Sequence, residues 1–157
     1  LVKDRPKDAT AQVNLGQCYY RAGDPDKGLA AFEKALELDA NAGAAYKGLG
    51  DIYTDKGRQS DATDAYRNAT RVTPKDGSAW DALGYALWQQ KNFAEAVPAL
   101  EKSLEIDSCN TRSILTIALC LKELGRTPEG IVWVKKGLGC DPSNANLKQM
   151  LLSLGGK

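Results

Sequence analysis

The sequence predicts an all-α solenoid built from repeated antiparallel helix pairs. The chain matches itself at a shift of 34 residues: Leu15-Gly16, Leu49-Gly50 and Leu83-Gly84 share one phase, and Ile117-Ala118 follows one step on. Within each period, apolar and small residues fall at spacings of three and four, as on two amphipathic helices. Between the two helical patterns stands Gly23, Gly57, Lys91 or Gly125. Glycine just past a helix end takes the left-handed conformation without steric cost.

The repeat frame divides the chain into 9–42, 43–76, 77–110 and 111–144, with a final segment at 145–157. In the first unit Leu15, Gly16 and Tyr19 mark the packed stripe of helix A, and Gly28, Phe32 and Ala35 that of helix B. Asp24-Pro25 reads as an N-cap followed by a first-turn proline. The second unit repeats the stripe with Tyr46, Leu49, Gly50 and Tyr53, then Ala62, Tyr66 and Ala69. The third has Trp80, Leu83, Gly84 and Leu87, then Ala96, Leu100 and Ser103, and its helix B contains Pro98. That proline removes a backbone bond to Ala94 and predicts a mild bend near the helix start. In the fourth unit Thr127-Pro128 reads as a second cap-and-proline start, and Gly130, Val134 and Gly137 replace the larger residues of helix B. Two interior glycines make this the helix expected to be least stable. Residues 145–157 carry Leu147, Met150, Leu151 and Leu154 on one face after a capping Ser143 or Asn144, as expected of a helix that covers an open repeat core. Pro6, Pro74 and Pro142 share an inter-repeat phase, so residues 1–8 read as the tail of a truncated upstream unit.

The glycines at Gly16, Gly50 and Gly84 need a reason, because glycine inside a helix costs about 0.5–1 kcal/mol relative to alanine. A recurring residue without a Cβ allows the two helix axes of a pair to approach closely, and that packing offsets the lost propensity.

The run "AAYKGLGDIYTDKG…DATDAYRNATRVTP" over 44–74 resembles the tetratricopeptide repeat family. It carries the large residue, Leu, Gly and Tyr of that family's helix A. It also carries the Ala, aromatic and Ala of helix B, with Pro at the inter-repeat turn. Four units in phase extend the resemblance over nearly the whole chain; Gln12 in the first unit and helix B of the fourth depart from it. The resemblance implies a right-handed superhelix whose helices A line a concave groove, and a role in holding protein or peptide partners.

Composition narrows the function. The net charge is +1, and the units carry −2, +1, −3 and +2 in turn, so no continuous basic stripe suggests nucleic acid. No apolar run reaches the roughly 20 residues of a membrane span. The chain has no histidine, which removes the Ser-His-Asp and Cys-His arrangements, and it has no phosphate-binding glycine loop. Cys18, Cys109, Cys120 and Cys140 form no C-x-x-C pair, so a zinc site is not expected. Cys18 and Cys120 share a phase but lie three repeats apart. The four cysteines are read as small thiols in a reduced, cytoplasmic setting.

The family's inward positions map here to a lining that includes Asn14, Gln17, Tyr20 and Arg21 in the first unit and Lys47 and Asp51 in the second. The third contributes Asp81, Tyr85 and Trp88, and the fourth Arg112, Leu115 and Leu119. Tyr and Trp on a surface the core does not need are typical interface anchors. Leu115 and Leu119 form an apolar step, either for a ligand or for the terminal helix. The family's clamp for chaperone carboxylate tails needs several converging donors. Only Lys47 and Arg112 fit its pattern, so that partner is not expected.

The expectation is therefore a non-catalytic scaffold that binds a peptide or helical segment of a partner protein, with no cofactor, no metal, no nucleic acid and no membrane insertion. The alternatives are a self-associating assembly module, hence a homo-oligomer, or an accessory array of a larger protein or complex.

Overall fold

The computed structural model describes residues 5–156, with side chains from Asp8 onward. Every regular element among them is helical: α1 Arg5–Arg21, α2 Pro25–Leu38, α3 Gly43–Asp55, α4 Gln59–Val72, α5 Gly77–Gln89, α6 Phe93–Ile106, α7 Thr111–Glu123, α8 Thr127–Cys140 and α9 Ala145–Ser153. Three-residue turns join α1 to α2, α3 to α4, α5 to α6 and α7 to α8, which makes each an antiparallel pair. The chain divides into two compact units, Leu1–Pro74 and Lys75–Lys157.

The turns share one hydrogen-bond pattern. In the first, the Gly23 N–H donates to the Tyr20 carbonyl and the Asp24 N–H to the Tyr19 carbonyl; Gly57, Lys91 and Gly125 repeat it. All four turn residues have positive φ: 81°, 71°, 59° and 73°. Asp24, Asp76, Asn110 and Asn144 cap α2, α5, α7 and α9 by accepting from backbone N–H groups. The helix α8 departs from expectation: its cap is Arg126, one residue earlier than the Thr127 cap would require, and no side chain bonds there. Pro6 falls inside the first turn of α1, not in an inter-repeat turn; Leu1 to Asp4 lie outside the described residues. Proline is tolerated there because a first-turn N–H has no helical acceptor. Pro98 is exposed on an unbroken α6.

In the first unit the core is built on Phe32, which is 0 % exposed and packs with Ala35, Ala45, Leu49, Ile52 and Ala65. A Cβ on Gly16 would come 2.7 Å from the Phe32 ring, one on Gly48 2.3 Å from its far edge, and one on Gly50 2.5 Å from Tyr66. The aromatic rings of the B helices therefore occupy the space that side chains on the A helices would fill. Leu15, expected on the packed stripe, is 41 % exposed. Its equivalents Leu49, Leu83 and Ile117 are buried, Leu49 in a helix that packs behind α1 and α2; α1 has no earlier pair among the described residues.

In the second unit a Cβ on Gly84 would meet Leu100 at 2.5 Å. The equivalent positions in the next pair hold Ala118 and Val134, both fully buried, so a larger residue on α7 is matched by a smaller one on α8. Gly130 lets α8 approach the Ala118 backbone, and Gly137 lies against Ile114 and Leu147. The helix α9 packs on α7 and α8 and inserts Leu147 into their core.

The cysteine reading is corrected here. Cys109, in the turn after α6, and Cys140, the last residue of α8, form a disulfide with a Cα–Cα distance of 5.9 Å. The turn after α6 comes up to the C-terminal end of α8 in this unit, so residues 31 apart meet. Phase alone compares residues a whole number of repeats apart and misses such a pair. Only Cys18, exposed, and Cys120, buried, are free thiols, and a disulfide argues against the reduced setting expected from the sequence.

Candidate functional site

Each unit presents its own face of A helices, on which some inward positions are open and others are buried. In the first unit α1 carries Asn14, Gln17 and Arg21, all exposed, and Tyr20, half-buried. The Tyr20 hydroxyl donates to Asp55 Oδ2 at 2.5 Å. On α3, Asp51 accepts from the Tyr66 hydroxyl at 2.8 Å and pairs with Lys47 at 3.8 Å. Thr54 lies 3.3 Å from the same Tyr66 hydroxyl and donates to the Gly50 carbonyl. Burial, then the hydrogen bond to Asp55, pushes the Tyr20 phenol up to about 12. Tyr66 is pushed up further, chiefly by burial; the contact with Thr54 opposes this, and the Asp51 charge and hydrogen bond add to it. Both phenols therefore stay neutral donors, fixing the two carboxylates in place. Val13 and Gly48, inward in the repeat frame, are buried. Successive A helices pack against one another there, and Gly48 faces Phe32.

In the second unit Asp81, expected on the open lining, is only 2 % exposed. Its Oδ1 accepts from the Ser113 hydroxyl at 2.6 Å, and Ser113 Oγ lies 2.9 Å from Ser103 Oγ. Arg112 donates to the other carboxylate oxygen through Nε at 2.7 Å and also through Nη2. A buried carboxylate requires such partners, and both Asp81 oxygens have one, Ser113 on one and Arg112 on the other. It acts on the surface only through Arg112, whose guanidinium it holds 5.6 Å from the Tyr85 ring centroid. Tyr85 in turn stands 5.3 Å from Trp88, with the rings tilted by 34°. Both rings are half-buried. Burial, charge and ring contact thus order a chain from Asp81 through Arg112 and Tyr85 to Trp88.

Trp88 also belongs to an open pocket of about 470 Å³, together with Gln89, Lys91, Phe93, Leu119 and Glu123. Leu115 lies apart from it, beside Asn146, Gln149, Met150 and Ser153 around α9. The apolar step is therefore divided: Leu115 borders the terminal helix and Leu119 the pocket. Sequence reasoning missed Lys91 and Phe93 as site residues. The available signal was a lysine where three other turns have glycine. Lys47 and Arg112, the two matches to a carboxylate clamp, are each already paired with an aspartate. Among the described residues, no group of three or more His, Cys, Asp or Glu side chains is arranged to hold a metal. None of the described helices is long and apolar enough to cross a membrane.

Comparison with known proteins places this arrangement. Two tetratricopeptide repeat models match, one over residues 7–75 and the other over 48–109. The small glutamine-rich tetratricopeptide repeat-containing protein 2 of Mycosarcoma maydis is 32 % identical over 89 residues, covering 57 % of this chain and 25 % of that protein. The cytochrome c-type biogenesis protein CycH of Rhizobium meliloti is 32 % identical over 120 residues, covering 74 % of this chain and 32 % of CycH. The chain thus spans a quarter to a third of the length of these relatives. Among solved structures, YrrB, described as a tetratricopeptide repeat protein with an unusual peptide-binding site, superposes with a TM-score of 0.81 at 24 % identity, covering 99 % of this chain and 82 % of YrrB. MamA from Desulfovibrio magneticus gives a TM-score of 0.82 at 20 % identity, covering 94 % of this chain and 84 % of MamA. At these identities the superpositions establish the fold. With two repeat models spanning 7–109 and the same helix-pair arrangement throughout, the chain belongs to the tetratricopeptide repeat family.

Proposed function

We propose that this chain is a non-catalytic scaffold that holds a peptide or helical segment of a partner protein on the faces of its A helices. Tetratricopeptide repeat proteins are generally interaction modules that bind protein partners. The observation that carries the reading is the Tyr85–Trp88 pair. Its rings are half-buried, stand 5.3 Å apart and are braced by Arg112, yet they lie outside the buried core. Aromatic side chains held rigid on a surface lose little freedom on binding, which is why they concentrate binding energy at interfaces. Asn14, Gln17 and Arg21 offer hydrogen-bonding groups on the first unit in the same way.

A capture experiment from source lysate tests this, with the unmodified chain and a Tyr85→Ala/Trp88→Ala variant as baits. Circular dichroism first establishes that the variant is folded. A partner retained by the first bait and lost by the second supports the reading. Equal retention by both moves the site off the Tyr85–Trp88 pair, and recovery of the bait protein alone supports self-association.

A further inference from the structure

The four helix-pair turns are alike in hydrogen bonding and in left-handed conformation, yet one of them is not glycine. A Cβ added to Gly23, Gly57 or Gly125 would meet nothing within 4 Å, so steric room does not decide the choice there. The backbone alone favours glycine, because the left-handed region is unfavourable for residues with a Cβ. Lys91 adopts it nonetheless, at φ 59°. Strain of this kind persists where something else holds or needs the residue.

The position of the side chain supplies the reason. Lys91 lines the pocket of the second unit together with the apolar Trp88, Phe93 and Leu119, and Glu123 lines it as well. Among the described residues neither Lys91 nor Glu123 has an ion-pair partner. A pocket of about 470 Å³ lined by Trp88 and Phe93 fits one bulky apolar side chain better than a whole helix. An unpaired ammonium at its edge is complementary to a carboxylate.

We propose that this pocket receives an aromatic or leucine side chain of a partner segment, with an aspartate or glutamate beside it that pairs with Lys91. The proposal rests on the partner-binding reading above and specifies what the partner brings to the second unit. Phe93, Trp88 and Leu119 take the apolar group, and Lys91 reads the acidic one. Glu123, on the same lining, disfavours a second acidic residue, so the segment brings one rather than several.

The test uses immobilised ten-residue synthetic peptides whose central residue is Phe, Leu, Trp or Ser, flanked by Asp, Lys or Ser. They are probed with the full chain and with its Lys91→Gly, Glu123→Gln and Tyr85→Ala variants. Peptides with a bulky apolar centre and a neighbouring Asp should be retained, and retention should fall as salt rises. Lys91→Gly should weaken these peptides about tenfold while leaving Ser-flanked ones unchanged, the scale of one lost charge-assisted contact. The same variant should melt at a higher temperature, so weakened binding cannot come from unfolding. Glu123→Gln should leave binding equal or tighter. Binders that need Tyr85 but show no acidic preference and ignore Lys91→Gly would overturn the pocket and leave the scaffold reading standing. Retention of no peptide would overturn the pocket as well, and the lysate capture would then decide the broader reading.

Discussion

Gly50 and Gly139 both lie in helices, yet a methyl group should act on them in opposite directions. At Gly50 it would lie 2.5 Å from the Tyr66 ring, and that ring is pinned by its hydroxyl, which donates to Asp51 and lies 3.3 Å from Thr54 Oγ1. Gly50→Ala should therefore destabilise the protein by about 1–3 kcal/mol, more than the helix propensity it recovers. Near Gly139 there is nothing within 4 Å, so Gly139→Ala should stabilise by about 0.5 kcal/mol. Urea titration of the two variants reads both signs. The tyrosines give a pH prediction. Tyr20 and Tyr66 hold their protons more tightly in the folded protein than the ordinary phenol does. Their contribution is complete below the unfolded phenol's pKa of about 10 and is lost as the pH rises through the folded values. Stability should fall from about pH 10 to about pH 12, and less so in Tyr66→Phe. At this scale the sequence was legible where a residue answers to its own repeat. The close approach at Gly16, Gly50 and Gly84 followed from phase alone. Asp81 did not, because its burial depends on Ser103 and Ser113 of the two following helices, which no property of α5 announces.

Among the elements, α8 combines the weakest local features. It has no side-chain cap and contains Gly130, Gly137 and Gly139; its buried residues are Gly130, Val134 and Gly137. Its C-terminal end is tied to the turn after α6 by the Cys109–Cys140 disulfide, closing a loop with a sequence separation of 31. In the chain-entropy account such a loop contributes about 3–4 kcal/mol. Reduction should loosen α8 first, seen as early amide exchange along 127–140 while α5 and α6 stay protected. Thiol counting checks the bond independently. The Cys120 thiol is pushed up to about 11 by burial and should not react in the folded protein, whereas the exposed Cys18 should. An aromatic disulfide reagent should therefore find one thiol in the native chain, two after unfolding and four after reduction. The helices themselves were legible from spacing and turn residues. Which inward positions remain open was not, because the burial of Val13, Gly48 and Asp81 depends on neighbouring helices. The pocket residues Lys91 and Phe93 come from a turn and the start of a B helix, outside the positions a repeat consensus marks.

At the level of the whole molecule, the tryptophans are unevenly placed. Trp80, Trp88 and Trp133 all belong to the second unit. Tryptophan fluorescence therefore reports that unit, while far-ultraviolet circular dichroism reports helices in both. Repeat proteins draw stability from each unit and its neighbours, so their transitions need not be all-or-none. On reduction the midpoint seen by fluorescence should shift further than the midpoint seen by circular dichroism. Coincident shifts would mean that the two units unfold as one. The disulfide also has a mechanical consequence. A chain pulled from its two ends pays out its full contour only where no covalent tie intervenes. The segment between Cys109 and Cys140 is closed off from such a pull. In a single-molecule stretching record the oxidised protein should therefore extend about 100 Å less than the reduced one, and adding reductant under load should release that length in a single step.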